Sequence, residues 1–543
     1  MRRSGESECT GRTFDLLVIG GGMTGAATAR DAALRGLDVL LLEAEDYGSG
    51  TSSRSSKLLH GGLRYLRQGA VKLVREACRE RELLGQLAPH QVQAQPFLYL
   101  LYPEDPEPLW QLRAGLTLYD AFSGNPRARR HDILSGDEVL VAEPHVRAEG
   151  LRGAGRYQDF LTDDARLTLD TVKSAAEAGA LVANHTSVEG LLRDGSGRVV
   201  GARASDRLTG DAFEVGARMV VNSTGVWVDA VRRLADPGAT AMLRPTKGSH
   251  IVVSRADFPI SHAMFFRHPR DGRTVWPIPA RNADLVYIGT TDTDHTGPLR
   301  DLAADEADVT YLLEAANHIL PDARLDASHL RGSWAGLRPL VASDPNAAAS
   351  DVSREHVITE EAEGLITIAG GKLSTGREMA EQLVDVVVKH LEQRHGLRAP
   401  GPCRTHRLPL AGGDVARWER ARRRMARSQL PVSARERILA RYGDETERLL
   451  DLVAHDPQLA EEVSPGLSKA EVVFACRREQ ARNLADVLVR RTSHFFWTPD
   501  GGAAPADAVA EVLAEELHWS DEERDRQLVA YTEWRQRNGY RTG

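Results

Sequence analysis

The sequence predicts an α/β protein with a Rossmann-like dinucleotide-binding domain, a second β-rich domain and a helical C-terminal domain. Three observations carry this. FDLLVIGGG, from Phe14, is a short Leu/Val/Ile run ended by glycines, the pattern of a buried parallel strand. A helix-like run and a second buried strand, DVLLLEA, follow it and complete a βαβ unit. The composition then changes near residue 400 to one rich in Ala, Arg, Glu and Leu. At 543 residues the chain is also longer than the roughly 250–300 at which single cores stop growing.

The elements follow in order. MTGAATARDAALRG is the first helix, with small residues at its start and Gly36 near its end. Residues 71–90 are helical and mixed in charge. Prolines 103, 106 and 108 divide residues 97–122 into strand, turn and helix. Three strands between 181 and 225 return to the first domain. KGSHIVV, RTVWPIP and LVYIGTTD, within 247–292, read as strands of the β-rich domain. Residues 364–391 read as strand, glycine turn and long helix. Pro400, Gly401, Pro402 and Gly412–Gly413 mark a linker, and no repeat or low-complexity tract is visible.

Composition narrows the function. An apolar fraction of 42% with 27% charged residues is that of a folded globular chain, not a disordered one. A net charge of −8 argues against a nucleic-acid partner, but leaves room for a local basic pocket. The four cysteines have no C-x-x-C spacing, so neither zinc nor a redox dithiol is indicated, and no metal is expected. So few cysteines fit a reducing cytosol. Residues 1–13 lack the apolar stretch of a secretory signal, and no run reaches the ~18–20 apolar residues of a membrane span. The expected location is cytoplasmic.

Gly20-Gly21-Gly22-Met23-Thr24-Gly25 fits G-x-G-x-x-G. Gly20 permits the tight turn, Gly22 the approach of a pyrophosphate, and Gly25 close packing of helix on strand. The pyrophosphate then meets a helix N-terminus, whose free N–H groups and dipole favour anions. Glu43 ends the second strand, where an acid binds the adenosine ribose. An acid there favours an unphosphorylated ribose, hence NAD or FAD rather than NADP. Three further features select FAD. Thr51-Ser52-Ser53-Arg54-Ser55-Ser56-Lys57 offers hydroxyl donors after the second strand. Val220-Val221-Asn222-Ser223-Thr224-Gly225 resembles the second signature of two-dinucleotide-fold flavoproteins. Ala369-Gly370-Gly371-Lys372 opens a helix whose positive end suits an anionic reduced flavin.

Together with LLHGGLRYL (58–66), DDARL (163–167), KGSHIVV (247–253), IGTTD (288–292), GLRPL (336–340) and GGKLSTGR (370–377), these motifs resemble those of FAD-dependent, aerobic-type glycerol-3-phosphate dehydrogenases. The resemblance spans about residues 14–395, with a weaker match through 481–492. It implies a discontinuous FAD domain (14–95, 160–245 and 330–395), a substrate or cap domain (96–159 and 246–329) inserted within it, and a helical domain (400–543). It implies that Arg64, Tyr65, Arg338, Lys372 and His250 line the substrate pocket; the mechanism expected there has His250 as the base and Arg338 and Lys372 stabilising the developing charge on oxygen. It implies FAD contacts from Gly20, Gly22, Thr24, Gly25, Glu43, Thr51, Ser52, Ser53, Ser56, Lys57, Leu58, His60, Gly61, Gly62, Val188, Thr224, Gly225, Gly371, Lys372, Leu373 and Ser374. Arginine forks suit a phosphate dianion, and imidazole suits a base working near neutrality.

Two departures stand out. Ser374 and Gly376 replace residues of the usual GGKLTTYR, removing an aromatic hydroxyl, and Val226 follows Thr-Gly where proline is usual. The implied activity is oxidation of glycerol 3-phosphate to dihydroxyacetone phosphate, with electrons passed to a quinone pool at the membrane surface. The enzyme is then peripheral on the inner face of the cell membrane, and a homodimer is the assembly to test. Leu109, Leu112, Leu116 and Tyr119, with Trp110 beside them, form a helical face that suits either core packing or an interface, with Arg113, Arg127, Arg129 and Arg130 near. Arg417 to Arg427 reads as a solvated basic helix face, with anionic lipid as the lesser reading. The competing readings are an oxygen-using oxidase of the same substrate, an amine or amino-acid oxidase of this fold, and an FAD-bearing RNA-binding protein.

Overall fold

The fold is seen in a computed structural model that describes residues 1, 3, 6–124, 130–281, 283–341, 355–398 and 401–539. The side chains of Glu6, Ser7, Arg64, Arg67 and Gln68 lie outside that description, as do Arg127 and Arg129.

The first sheet is built around Thr13–Ile19, of which every residue after Thr13 is buried. It pairs in parallel with Val39–Leu42 on one side and Ala212–Asn222 on the other. The sheet runs on in parallel to Leu181–Ala183 at one end and Leu365–Gly370 at the other, where His356–Ala362 adds an antiparallel edge. Helices Met23–Leu34, Asp164–Glu177 and Gly376–His395 cover one face. Antiparallel strands Thr186–Arg193 and Val199–Asp206 hang on Ala212–Asn222, and the second pads the other face. The continuous Leu/Val/Ile runs are explained by this burial on both faces.

The second sheet runs in the order 293–294, 243–254, 285–289, 274–279, 263–267, 93–101, 153–161, 58–59. Residues 330–341 pair with 243–254, and 132–134 with 153–161. Side chains alternate strictly. Leu98, Leu100, Ile251, Val253, Met264, Val286 and Ile288 face a core shared with helix Glu306–Ile319. Phe97, Tyr99, Val252, Phe265 and Tyr287 face the opposite core, which is closed by C-terminal residues such as Val487 and Phe495. Two expected domain boundaries are corrected here. The strand Gln93–Leu101 crosses the boundary expected at 96, and the strand Leu330–Val341, assigned to the FAD domain, belongs to this sheet. The Leu/Val pattern at 330–341 fits either sheet; cross-strand pairing decides it.

The helix Leu109–Ser123 buries Leu112, Leu116 and Tyr119 against this sheet, while Trp110 is 73% exposed. The face carrying Leu112, Leu116 and Tyr119 is therefore core. Helix Val415–Met425 turns its arginines outward to carboxylates, as in Arg424 with Asp451 and Arg420 with Glu447. Among the described residues no helix is long and apolar enough to cross a membrane.

The C-terminal domain is bound to the first by buried charge. A π-helical turn, Asp486–Arg491, aims Arg490 Nε at Asp46 Oδ2 (2.5 Å) and Arg491 Nη1 at the same oxygen (2.6 Å). Arg490 also donates to Asp486, whose other oxygen meets His185 Nε2 at 2.9 Å. A second cluster joins Arg166 and Lys173 to Glu479, with Lys173 also on Glu445 and His90 on Asp170. Burial alone raises the Glu479 carboxyl, but Arg166 and Lys173 override it and hold it at about 2.

Breaking a buried pair leaves an uncompensated charge, so Asp46→Ala is expected to lower stability by about 3–5 kcal/mol, read as an earlier denaturant midpoint. Glu479 binds fewer protons folded than unfolded. Its contribution is complete above the ordinary glutamate value of about 4.3 and disappears as pH falls towards 2. Acid unfolding of Glu479→Gln should accordingly be less steep across that window.

Candidate active site

A cavity of about 840 Å³ runs from the end of the first sheet to the face of the second. Its lining begins at Glu43, Thr186 and Val188, passes Gly20, Gly22, Thr24, Thr51 and Ser52, and ends among His60, Tyr65, His250, Arg338 and Lys372. An elongated two-part ligand is what such a shape accommodates.

The glycine turn makes the middle of the cavity. Gly20 has φ +105°, and a Cβ there would sit 2.8 Å from Ser223 O. At Gly25 a Cβ would fall 1.9 Å from Gly20 O, so only glycine lets the helix start this close to the strand. Helix Met23–Leu34 has no side-chain cap of its own and no acid in its first turn. Met23 N–H donates to Ser52 Oγ at 3.0 Å, which fixes the serine loop over the helix end. Glu43 accepts from Gly21 N–H (2.6 Å) and Glu45 N–H (2.9 Å), so its carboxylate is held at the cavity wall. An uncapped helix end beside hydroxyls, with an acid one strand away, fits the pyrophosphate and ribose of a dinucleotide.

Leu58, Ser56, Thr224, Gly225, Gly371, Leu373 and Ser374 also line the cavity. Five expected cofactor residues, Gly25, Ser53, Lys57, Gly61 and Gly62, do not. Lys57 is buried, with Nζ 2.7 Å from Asp164 Oδ1 and 3.9 Å from the Phe496 ring centroid; its charge serves the domain contact instead. Ser53 is 1% exposed and its hydroxyl turns to Gly50 O. Gly61 spends its N–H on Tyr119 Oη (2.7 Å) and packs on Cys78, where no Cβ fits. Gly62 has φ +78° and turns the chain so that Tyr65 lies beneath it. Gly25 acts through packing alone. The backbone of Arg64 lies in the short helix Leu63–Gln68; its side chain is outside the described part.

At the far end Lys372 Nζ lies 4.3 Å from the Tyr65 ring centroid. Arg338 donates to Asp292 Oδ1 (3.1 Å), Thr290 Oγ1 (3.0 Å) and Thr291 O (3.2 Å). It lies flat across Gly248, where a Cβ would come within 2.4 Å of its Nη2. Asp292 also binds Arg273 at 2.6 Å, so two guanidinium groups share one carboxylate. His250 is 3% exposed, with Nε2 2.9 Å from Ser56 Oγ. Burial, with Arg338 and Lys57 nearby, pushes its imidazole well below the ordinary histidine range, so it is neutral at pH 7.

Arg267, Arg273, Tyr99, Phe265 and Trp276 line the same end and were not anticipated. Strand alternation in RTVWPIP could have marked Trp276, but which face met the cavity depended on sheet pairing. Gly376, where the motif departs from its usual form, is explained by packing: a Cβ there would lie 2.7 Å from Met23 Cγ.

Comparison with known proteins gives a consistent result. Residues 15–377 match the family described as FAD dependent oxidoreductase, and residues 403–524 match the C-terminal domain of alpha-glycerophosphate oxidase. The aerobic glycerol-3-phosphate dehydrogenase of Staphylococcus haemolyticus is 36% identical over 94% of this chain and 92% of its own. That of Bacillus subtilis is 36% identical over 96% and 94%. The solved glycerol-3-phosphate dehydrogenase from Bacillus halodurans, complexed with FAD, superposes with a TM-score of 0.82 at 32% identity, covering 98% of this chain and 96% of that one.

Gly25→Ala is expected to purify largely without flavin, read as the ratio of flavin to protein absorbance. Gly195→Ala is the control, since nothing lies within 4 Å of a Cβ there. Full flavin in Gly25→Ala would exclude the close helix–strand contact as a requirement.

Proposed function

The chain belongs to the family of FAD-dependent glycerol-3-phosphate dehydrogenases, and on that premise we propose that it oxidises the C2 hydroxyl of sn-glycerol 3-phosphate to the ketone of dihydroxyacetone phosphate. FAD, when bound along the glycine turn, supplies the two-electron hydride acceptor. The observation that carries this reading is the convergence of a neutral histidine, an arginine and a lysine at one end of a dinucleotide-shaped cavity.

Arg64, Tyr65 and Arg338 hold the phosphate, which orients C2 and removes much of the entropic part of the barrier. Arg338 is pre-aligned by Asp292 and the Thr290 hydroxyl, so little rotamer freedom is lost on binding. The His250 imidazole takes the C2 hydroxyl proton at Nε2, and the Ser56 hydroxyl rotates to accept from the imidazolium. A weakly basic imidazole suffices, because the hydroxyl becomes strongly acidic as hydride departs from the same carbon. Lys372 and Arg338 stabilise the negative charge that develops on oxygen. The cationic end disfavours an amine substrate.

For the electron acceptor we propose a quinone, with the enzyme cytoplasmic and peripheral on the membrane's inner face. The oxidase reading stays in view because residues 403–524 match a domain named for an oxidase. Peroxide yield in air set against turnover with a soluble quinone separates the two; stoichiometric peroxide would overturn the quinone assignment.

Arg64→Ala is expected to raise KM for glycerol 3-phosphate by about 100-fold or more, as the loss of a charge-assisted phosphate contact implies. His250→Ala should slow anaerobic flavin reduction by about 10²- to 10⁴-fold. Near-normal reduction would remove His250 as the base. Because burial lowers the His250 pKa, the base stays deprotonated as pH falls through about 6.5. The acid limb of kcat/KM should therefore lie below that value.

A further inference from the structure

We propose that the C-terminal domain positions the His250 ring through an aromatic wedge, with Trp334 as the intermediary. This rests on the assignment of His250 as the base. His250 and Trp334 are direct cross-strand partners in the pairing of 243–254 with 330–341. Their rings stack, with centroids 4.6 Å apart and planes 11° from parallel. On its other edge His250 faces Gly289, where a Cβ would fall 2.1 Å from the imidazole Cδ2. The ring is thus confined by a stack, a bare backbone floor and the Ser56 hydroxyl.

Trp334 is itself held from behind. It is 1% exposed, and its Nε1 donates to Ser55 O at 3.2 Å. The short helix His494–Trp497 of the C-terminal domain lays Phe496 and Trp497 edge-on against it, at centroid distances of 5.4 and 6.1 Å and angles of 84° and 81°. Lys57 sits over the Phe496 ring while paired to Asp164, which also accepts from Ser55 N–H and Oγ. One buried assembly therefore fixes two of the groups around the His250 ring, Trp334 by stacking and Ser56 by hydrogen bond. Edge-to-face packing resists lateral sliding, so shortening the wedge lets Trp334, and with it the imidazole, drift. Shifts of about 1 Å in a catalytic group cost as much as 10²-fold in rate. Neither Trp497 nor Phe496 lines the cavity, so they are positioning residues.

The test is a double-mutant cycle on purified, FAD-loaded full-length protein, with anaerobic flavin-reduction rate, KM and flavin content measured for each variant. Trp497→Ala is expected to slow flavin reduction about 10- to 100-fold, with KM changed less than about threefold and flavin content intact. Trp497→Phe should recover most of the rate. In a His250→Ala background, Trp497→Ala should have little further effect, because both act through one ring. Full additivity of the two losses would overturn the proposal, as would an unimpaired rate in Trp497→Ala. If Trp497→Ala does not fold, the cycle is run with Trp497→Phe and Phe496→Leu, where the same non-additivity is required. Normal flavin reduction in His250→Ala would instead remove the base assignment itself, a failure seen without any change at Trp497.

Discussion

Asp46 is the group on which the architecture depends. It lies three residues beyond the acid that ends the second strand, and it is fully buried. A lone carboxylate there would be too costly to keep ionised. It is tolerated because Arg490 and Arg491 reach it from a π-helical turn more than 440 residues later, and Asn184 donates to it at 2.9 Å. A π turn adds one residue to the helical repeat, which lets two consecutive arginines aim at one acid while Asp486 takes the other side of Arg490. The loop that carries Glu43 is therefore anchored by the C-terminal domain.

The same principle explains why so many cations near the cavity are spoken for. Arg338 and Arg273 share Asp292, Lys57 is matched by Asp164, and Arg267 by Asp105 and Glu107. Prearranged pairs keep guanidinium planes rigid before an anion arrives. On the proposed reading, selectivity for a dianion comes from orientation and from the cationic heads gathered at one end, inside a chain whose overall charge is negative.

The nucleotide turn was legible in the sequence because its requirements are local. Gly20, Gly22 and Gly25 are needed by a strand, a turn and a helix that adjoin in the chain, and Glu43 ends the very next strand. The place of the Lys57 side chain was not legible, for the opposite reason. It sits in a hydroxyl-rich loop that does face the cavity, yet its own side chain points the other way, to Asp164, a partner 107 residues distant. The strand Leu330–Val341 was misplaced because its alternation suits either sheet until its partner is known. Arg273 and Trp276 were invisible as site residues because the cavity wall they form is set by sheet order, not by spacing. The aromatic trio Phe495, Phe496 and Trp497 carried no periodic signal at all.

The long separation between Asp46 and its arginines has a consequence for biogenesis. A ribosome has released more than four-fifths of the chain before Arg490 and Arg491 exist to meet that acid. Until then Asp46 has no arginine to meet, and the loop after Val39–Leu42 keeps that acid in water. Contacts of such range fold slowly and leave apolar surface open in the interim. A chain lacking the last sixty residues therefore keeps Asp46 without either arginine partner.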